Sequence, residues 1–361
     1  DSSTVVGMAA REQTGKTIAY TMGFDAEGYD EMYYSRLAAK QFNAELREYY
    51  VTQQDIIDAM PIIAREYDEP FGNSSAVPTL MCARRARADG IEYMLAGDGG
   101  DELFGGNERY AKQGLFESYH RIPKALRSGL IEPLTGVFPG LFPLGKIRSY
   151  VEQARIPMPG RLETYNLLNR EPHDKIFESV FLERIDASHP LDLQRARYEA
   201  ARSESLVNRM IWLDWKFTLA DNDLRKVTRS CEIAGVEAAY PMMDRDLVEL
   251  SLRMGPKQKV KGNNLRSLYK SSLQGFLPRE IIDKPKHGFG LPFGVWLATS
   301  STIQDLIYPA IDALSQRGIF RPAFLSNLLE ANRTGHAAFY GNQIYVLSML
   351  ELWLSAHEGK S

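Results

Sequence analysis

The sequence has 361 residues, which is typical of about two domains, and its 43 Lys+Arg and 46 Asp+Glu residues give a formal net charge of −3. This near balance argues against a strongly basic nucleic-acid binder, and 44% hydrophobic residues exclude global disorder. Because the chain has two cysteines, no signal-peptide pattern and no apolar run of about 18 residues, we expect a cytoplasmic protein without a disulfide framework or a membrane segment.

The first third of the chain predicts helices that alternate with strands. Hydrophobic spacing and turn residues predict, in chain order, a helix over Ser2–Glu12, a strand over 17–24, a helix over 29–43, a strand over Glu45–Val51, helices over 54–66 and 76–89, and a strand over 91–96. This alternation is typical of an α/β protein with a doubly wound parallel sheet. We therefore assign residues 1–115 to an α/β core.

Beyond residue 110 the strand signal fades and helical spacing dominates. Residues 129–145 are rich in Pro, Gly and Phe and belong to a predicted insertion over 116–200. In the C-terminal part, 201–361, the spacing predicts helices over 199–224, 244–254, 303–314 and 344–354. The sequence thus predicts an α/β core followed by a mostly helical half.

Residues 10–17, with the letters AREQTGKT, are one glycine short of a phosphate-binding P-loop. A P-loop follows a strand and opens a helix, so that the helix amides face the phosphate. Here the segment follows a predicted helix and enters a predicted strand, which is the reverse order. We therefore predict no nucleotide site there.

Residues 97–106, with the letters GDGGDELFGG, hold three carboxylates and five glycines directly after a predicted buried strand. Ligands of open α/β sheets bind beyond the carboxyl ends of the strands. Glycines let the backbone approach a bulky anion, and carboxylates at such a place favour Mg²⁺ together with a nucleotide. The alternative is a solvated acidic turn that caps a helix beginning near Asp101, for which five glycines are more than is needed.

Residues 97–106 resemble the G-(E/D)-G-x-D-E-(L/V)-F-G-G segment of the asparagine synthetase family, and residues 1–3 resemble the end of its S-G-G-L-D-S-S pyrophosphate loop. Three further matches follow in the family's order: residues 22–24 with 29–31, residues 223–229 with 241–244, and residues 277–292, which resemble its late R-P-K-x-G-F-G-V-P loop. The resemblance implies a fold of the adenine-nucleotide α-hydrolase-like type. Since the chain opens on Asp1 without Met, we also expect it to be part of a longer polypeptide.

The resemblance implies ATP-dependent activation of a carboxylate as an acyl-adenylate, with release of pyrophosphate, followed by attack of ammonia. It implies that Asp1 and Asp101 hold Mg²⁺ on the pyrophosphate, and that Ser2 and Ser3 bind phosphate oxygens. The residues implied to line the nucleoside pocket are Met22, Ala96 and Gly97.

Two further residues take catalytic roles by resemblance. Asp98 stands where the family usually has glutamate, and it would orient or deprotonate the attacking amine. Lys286 would stabilise charge on the reacting α-phosphate and carboxylate, whereas Lys284 is expected to remain at the rim.

Two residues of the central segment depart from the family pattern. Thr228 stands where the family usually has Asp, and Ala239 stands where it commonly has Arg. Two explanations are open. Either the family's Asp and Arg form a structural pair that is replaced as a whole in this chain, or the substrate pocket has changed.

Three hypotheses of function remain. The first is an asparagine synthetase-like ligase that acts on aspartate, with ammonia from a glutaminase domain outside this sequence. The second is a β-lactam synthetase-like or peptide-cyclising enzyme, and the third is a non-catalytic ATP-binding module. For the first we expect small-molecule substrates, no nucleic acid or membrane, and a homodimer.

Overall fold

The computed structural model describes residues 1–26, 28–120, 122–127, 144–166, 169, 171–284 and 290–358. Two features of the sequence lie outside the described residues. One is Lys286, and the other is most of the predicted Pro- and Gly-rich segment 129–145.

The first part of the chain alternates helices and strands, as predicted. Its elements are α1 (Ser2–Glu12), β1 (Ile18–Phe24), α2 (Met32–Phe42), β2 (Glu45–Val51), α3 (Gln53–Glu66), α4 (Ala76–Ala88) and β3 (Tyr93–Leu95). Local chemistry sets several of these bounds. At the start of α3, the Thr52 hydroxyl accepts from the Asp55 amide while the Asp55 carboxylate accepts from the Thr52 amide at 2.7 Å, which is a capping box.

The rest of the described chain is mostly helical, with three short strands. Its α-helices are α5 (Gly100–Phe104), α6 (Glu108–His120), α7 (Lys124–Leu126), α8 (Leu144–Arg155), α9 (His173–Ile176), α10 (Ser179–Leu182), α11 (His189–Glu199), α12 (Leu206–Asp214), α13 (Arg225–Ala234), α14 (Arg245–Arg253), α15 (Pro256–Lys259), α16 (Ser267–Ser272), α17 (Arg279–Ile282), α18 (Phe293–Thr299), α19 (Ser301–Ser315), α20 (Pro322–Thr334) and α21 (Ala337–His357). The other elements are 3₁₀ turns at Gly160–Tyr165 and Pro241–Met243, a π-helix at Trp215–Leu224, and strands β4 (Glu237–Ala239), β5 (Val260–Lys261) and β6 (Asn264–Leu265).

Among the described residues, parallel pairing occurs in two separate pairs of strands rather than in one continuous doubly wound sheet. β1 pairs with β2, and β3 pairs with β4; β5 and β6 form an antiparallel hairpin.

β3 is also shorter than predicted and is not buried, since Tyr93 is 68% and Leu95 49% exposed. The physical reason is that helices cover one face of β3 only: Met94 packs with Ala83 of α4 and Val227 of α13, while Tyr93 and Leu95 lie on the other face.

The main hydrophobic core lies between the β1–β2 pair, α3, α4 and the C-terminal helices α18 to α21. α21 is apolar along most of its length, and Ile344, Tyr345 and Met349 are fully buried. The Trp353 indole nitrogen donates to the Tyr67 carbonyl oxygen at 3.0 Å, which joins α21 to the end of α3. None of the helices in the described ranges is both long and apolar enough to cross a membrane.

Candidate active site

The glycine-rich segment 97–106 lies directly against the start of α1. A β-carbon placed on Gly97 would lie 2.6 Å from the backbone nitrogen of Ser2, and one placed on Gly100 would lie 2.5 Å from the Asp1 carboxyl carbon. At Gly97 the neighbour is backbone, so no larger residue fits there without a backbone shift, whereas at Gly100 the Asp1 carboxylate would have to move. The sequence predicted that these glycines make room for an anion, but in the structure they first make room for the start of α1.

A single turn of helix, α5, brings Asp101 to the same place. Gly99 before it (φ +97°) and Gly105 after it (φ +76°) have left-handed backbone conformations, which favour glycine. The amides of Gly105 and Gly106 both donate to the Asp101 carbonyl oxygen, at 2.8 and 2.9 Å. The alternative, an acidic residue that caps a helix, explains why Asp101 lies in the first turn of α5. It does not explain the number of glycines in segment 97–106.

Asp1 and Asp101 are bridged by Arg266, which immediately precedes α16. One guanidinium nitrogen of Arg266 donates to Asp1 Oδ1 at 2.9 Å, and another donates to Asp101 Oδ1. A β-carbon on Gly106 would collide with both Asp101 Oδ1 and Arg266 Nε. Arg266 was not predicted from the sequence, where its only signal was a general one: two carboxylates brought together need a cation nearby.

The donor set of Asp1 and Asp101 fits a hard divalent cation that is shared with a nucleotide. Their carboxylate oxygens converge on one positive group in the structure, so the position stabilises positive charge. Across the described ranges, no three His, Cys, Asp or Glu side chains gather into a metal site. Mg²⁺ is commonly held by one or two carboxylates with phosphate oxygens completing the shell, and two carboxylates suffice for that arrangement.

Asp98 lies beside a second, looser ionic cluster. Its side chain is 22% exposed, and burial is the main cause that raises the pKa of this carboxyl, with the charge of Asp223 as a further cause. Lys226 acts in the opposite direction, with its Nζ 3.8 Å from Asp98 Oδ1 and 3.0 Å from Asp223 Oδ1. The resemblance covered residues 223–229, but the sequence analysis assigned no role to Lys226.

The two departures from the family pattern lie at neighbouring points of the structure. The Tyr240 hydroxyl donates to the Leu224 carbonyl oxygen at 3.1 Å, so Thr228 is the donor in the 2.7 Å hydrogen bond that joins it to Tyr240. Ala239 precedes Tyr240 and pairs with Leu95 between β3 and β4. Thr228 thus has a structural partner in Tyr240 rather than in Ala239, and the two explanations of the departures stay hypotheses.

The other predicted binding residues fall in two places. Ser2 and Ser3 form the first turn of α1, where Ser2 is exposed and Ser3 is half-buried. Ala96 donates its amide to the Ala239 carbonyl oxygen at 2.9 Å, which fixes the backbone that leads into Gly97. Met22 lies in β1 with its side chain in the main core, 7% exposed, so its predicted contact with a nucleoside stays a prediction.

Of the two lysines of the late loop, the structure describes Lys284. Its ammonium pairs with Glu31 at 2.5 Å and lies 4.7 Å from the centre of the Tyr34 ring. These contacts hold Lys284 against the start of α2. The role of Lys286 stays a prediction, since this residue lies outside the described ranges.

The chain is similar to known asparagine synthetases over nearly its whole length. A family model described as asparagine synthase matches residues 1–355. The asparagine synthetase (glutamine-hydrolyzing) 1 of Bacillus subtilis is 23% identical over 302 residues, covering 82% of this chain and 46% of the relative. A putative asparagine synthetase (glutamine-hydrolyzing) of Mycobacterium bovis is 22% identical over 368 residues, covering 98% of this chain and 52% of the relative. The chain thus spans about half the length of these curated relatives.

Proposed function

The chain belongs to the asparagine synthase family, and from this premise we propose that it is the synthetase part of an ATP-dependent amide ligase that converts aspartate and ammonia into asparagine. The observation that carries the proposal is the convergence of Asp1 and Asp101 beside the start of α1. Carboxylates for a cation and the amides at a helix N-terminus together suit a nucleotide pyrophosphate.

In the proposed adenylation step, a carboxylate oxygen of aspartate attacks the α-phosphorus of ATP, and pyrophosphate leaves. Ser2 and Ser3 offer amides and hydroxyls to the phosphate oxygens from the first turn of α1. Asp1 and Asp101 would hold Mg²⁺, which would supply positive charge against the leaving pyrophosphate. We assign Lys286 to the α-phosphate, where a fixed cation lowers the barrier.

In the proposed second step, ammonia attacks the acyl carbon of the adenylate and AMP leaves. The attacking nitrogen must lose a proton as the amide forms, and we assign that proton to Asp98. Burial raises the pKa of the Asp98 carboxyl, which makes it a stronger base than an exposed aspartate. We propose that the ammonia comes from glutamine through a glutaminase domain of the full-length protein.

The test is pyrophosphate release from ATP by the full-length protein, with aspartate and ammonium chloride as substrates. We expect release that depends on aspartate and Mg²⁺, with asparagine as product. Release stimulated by larger carboxylates but not by aspartate would overturn the assignment of aspartate and favour the β-lactam synthetase-like hypothesis. If the protein neither turns over ATP nor exchanges pyrophosphate into ATP, the hypothesis of a non-catalytic ATP-binding module is favoured.

A further inference from the structure

Arg266 contacts both predicted metal-binding carboxylates. It donates to Asp1 at 2.9 Å and also to Asp101, and the side chains of the three residues are all between 19% and 23% exposed. The three residues belong to distant parts of the sequence and reach this place from different elements. The contact is therefore a property of the tertiary structure rather than of a local motif.

We propose that Arg266 competes with the divalent cation for Asp1 and Asp101 and, when the cation arrives with the nucleotide, binds a pyrophosphate oxygen instead. This inference rests on the proposed function, because it takes Asp1 and Asp101 as the metal ligands. It adds a phosphate-binding residue that also suppresses binding of the metal without the nucleotide.

Arg266 occupies one oxygen of each carboxylate, since it donates to Oδ1 of both Asp1 and Asp101. A guanidinium and Mg²⁺ that share these two carboxylates repel each other, so binding of the metal weakens the hold of the carboxylates on Arg266. A triphosphate offers the guanidinium a new partner of matching geometry, because planar guanidinium donors suit phosphate oxygens in pairs.

The backbone beneath Arg266 is held in place by the contacts of α16. In α16, the Tyr269 hydroxyl donates to Thr4 Oγ1 of α1 at 2.8 Å, and the Tyr269 ring stacks on Phe104 of α5 at 4.4 Å between ring centres. α16 is thus fixed to both elements that carry the carboxylates. Arg266 itself has a left-handed backbone, with φ +54°, and such conformations in residues other than glycine concentrate at functional sites.

The charge of Arg266 offsets part of the negative charge of Asp1 and Asp101, so it lowers the attraction of this position for a metal ion alone. Without Arg266 that offset is gone. Removal of Arg266 therefore has opposite effects on the two ligands: it strengthens binding of the metal alone and weakens binding of the metal–nucleotide complex.

The experiment compares the full-length wild type with Arg266→Met in two binding measurements. Mn²⁺ binding without nucleotide, followed by electron paramagnetic resonance, is expected to tighten about tenfold in Arg266→Met, since the competing charge is gone. Affinity for MgATP is expected to weaken about tenfold, since a charge-assisted contact to phosphate is lost. Arg266→Lys keeps the charge but loses the paired geometry, so it should lie between the wild type and Arg266→Met in both measurements.

Two controls tie the result to this site. Arg245→Met removes an arginine that is 88% exposed in its side chain and pairs with Glu249 on α14, and it should change neither affinity. The double variant Asp101→Asn with Arg266→Met should lose the gain in Mn²⁺ affinity. If Arg266→Met does not fold, as judged by thermal melting, the Arg266→Lys comparison alone decides.

Each outcome bears on one claim. The inference is overturned if Mn²⁺ binding in the variants is unchanged or weaker, or if their MgATP affinity equals that of the wild type. Arg266 would then only form structural ion pairs with Asp1 and Asp101. A wild type that binds no MgATP would overturn the proposed function instead. In that case the Mn²⁺ measurement still supports or overturns the competition at Asp1 and Asp101.

Discussion

Two carboxylate–cation clusters lie in the candidate site, and they differ in geometry although they use the same chemical groups. In the first, Arg266 donates directly to Asp1 and Asp101. In the second, Lys226 stays 3.8 Å from Asp98, beyond hydrogen-bond distance, and pairs more closely with Asp223. The tight cluster is organised to hold a cation between two oxygens. The loose one leaves a buried carboxyl with a raised pKa, which suits proton transfer.

The role proposed for each carboxylate in this site thus depends on its nearest cation rather than on its position in the glycine-rich segment. Asp98 and Asp101 are three residues apart in one glycine-rich segment. They nevertheless face different partners, because the left-handed Gly99 between them redirects the chain. The predictions that follow test this division of roles.

The largest effect is expected from Asp101→Asn, which removes a charge from the tight cluster. The rate of pyrophosphate release should fall roughly a thousandfold, because charge on the leaving pyrophosphate is no longer neutralised through this ligand. Asp312→Asn, on the exposed surface of α19, serves as the matched control. A loss of less than tenfold at Asp101, or an equal loss at Asp312, would show that the tight cluster does not hold the metal.

The next largest effect separates the two lysines of the late loop. Lys286→Ala should lower kcat about a hundredfold, or about 2.7 kcal/mol, with little change in ATP affinity. Lys284→Ala should lose much less, because Lys284 pairs with Glu31 and lies over Tyr34. Pyrophosphate release at saturating ATP and aspartate measures both. If the loss of kcat in Lys284→Ala equals or exceeds the loss in Lys286→Ala, the assignment of the catalytic role to Lys286 is wrong.

The loose cluster predicts a pH effect. Asp98 must be ionised to accept a proton, so the rate falls as the pH drops through the pKa of its carboxyl. Lys226 holds that pKa down against burial, and Lys226→Met therefore moves the acidic limb of the pH–rate profile to higher pH. At pH 6 we expect about a tenfold loss, and recovery at higher pH.

Lys226→Arg preserves the charge and should keep the wild-type profile, whereas a merely structural role for Lys226 would lower the rate equally at every pH. The readout is kcat across the pH range, followed as formation of asparagine. An acidic limb that stays in place in Lys226→Met would contradict the assignment of Asp98 as the proton acceptor.

Local sequence patterns predicted the elements of the first third of the chain well. The bounds of α1 and β2 agree with the prediction residue for residue, because amphipathic spacing and turn residues act over short distances. The helix predicted over 199–224 begins only at Leu206 and continues as a π-helix from Trp215, a hydrogen-bond pattern for which hydrophobic spacing has no signal.

Contacts between residues that are distant in the sequence could not be predicted from such local patterns. The contact of Asp1 with Arg266 joins residues that are 265 positions apart, and no local spacing encodes it. Likewise, a short apolar run such as 91–96 predicts a strand, but its burial depends on which elements pack against its two faces. The motif residues Asp1, Ser2, Gly97 and Asp101 do lie together, because the glycines that mark the motif are also what permits the close approach.

The smallest effect is expected at Thr228, where a neutral hydroxyl pair stands near the loose cluster. Thr228→Val removes the 2.7 Å hydrogen bond to Tyr240 but keeps the β-branched shape. Because Thr228 is exposed, the loss of stability should be about 1 kcal/mol or less, measured by urea denaturation. The KM for aspartate should not change, since the Thr228 hydroxyl is used to join α13 to Tyr240. Tyr240→Phe removes this bond and also the bond to the Leu224 carbonyl, so it should give a larger loss of stability. A KM that rises severalfold in Thr228→Val, with stability unchanged, would instead place Thr228 in the substrate pocket and favour a substrate other than aspartate.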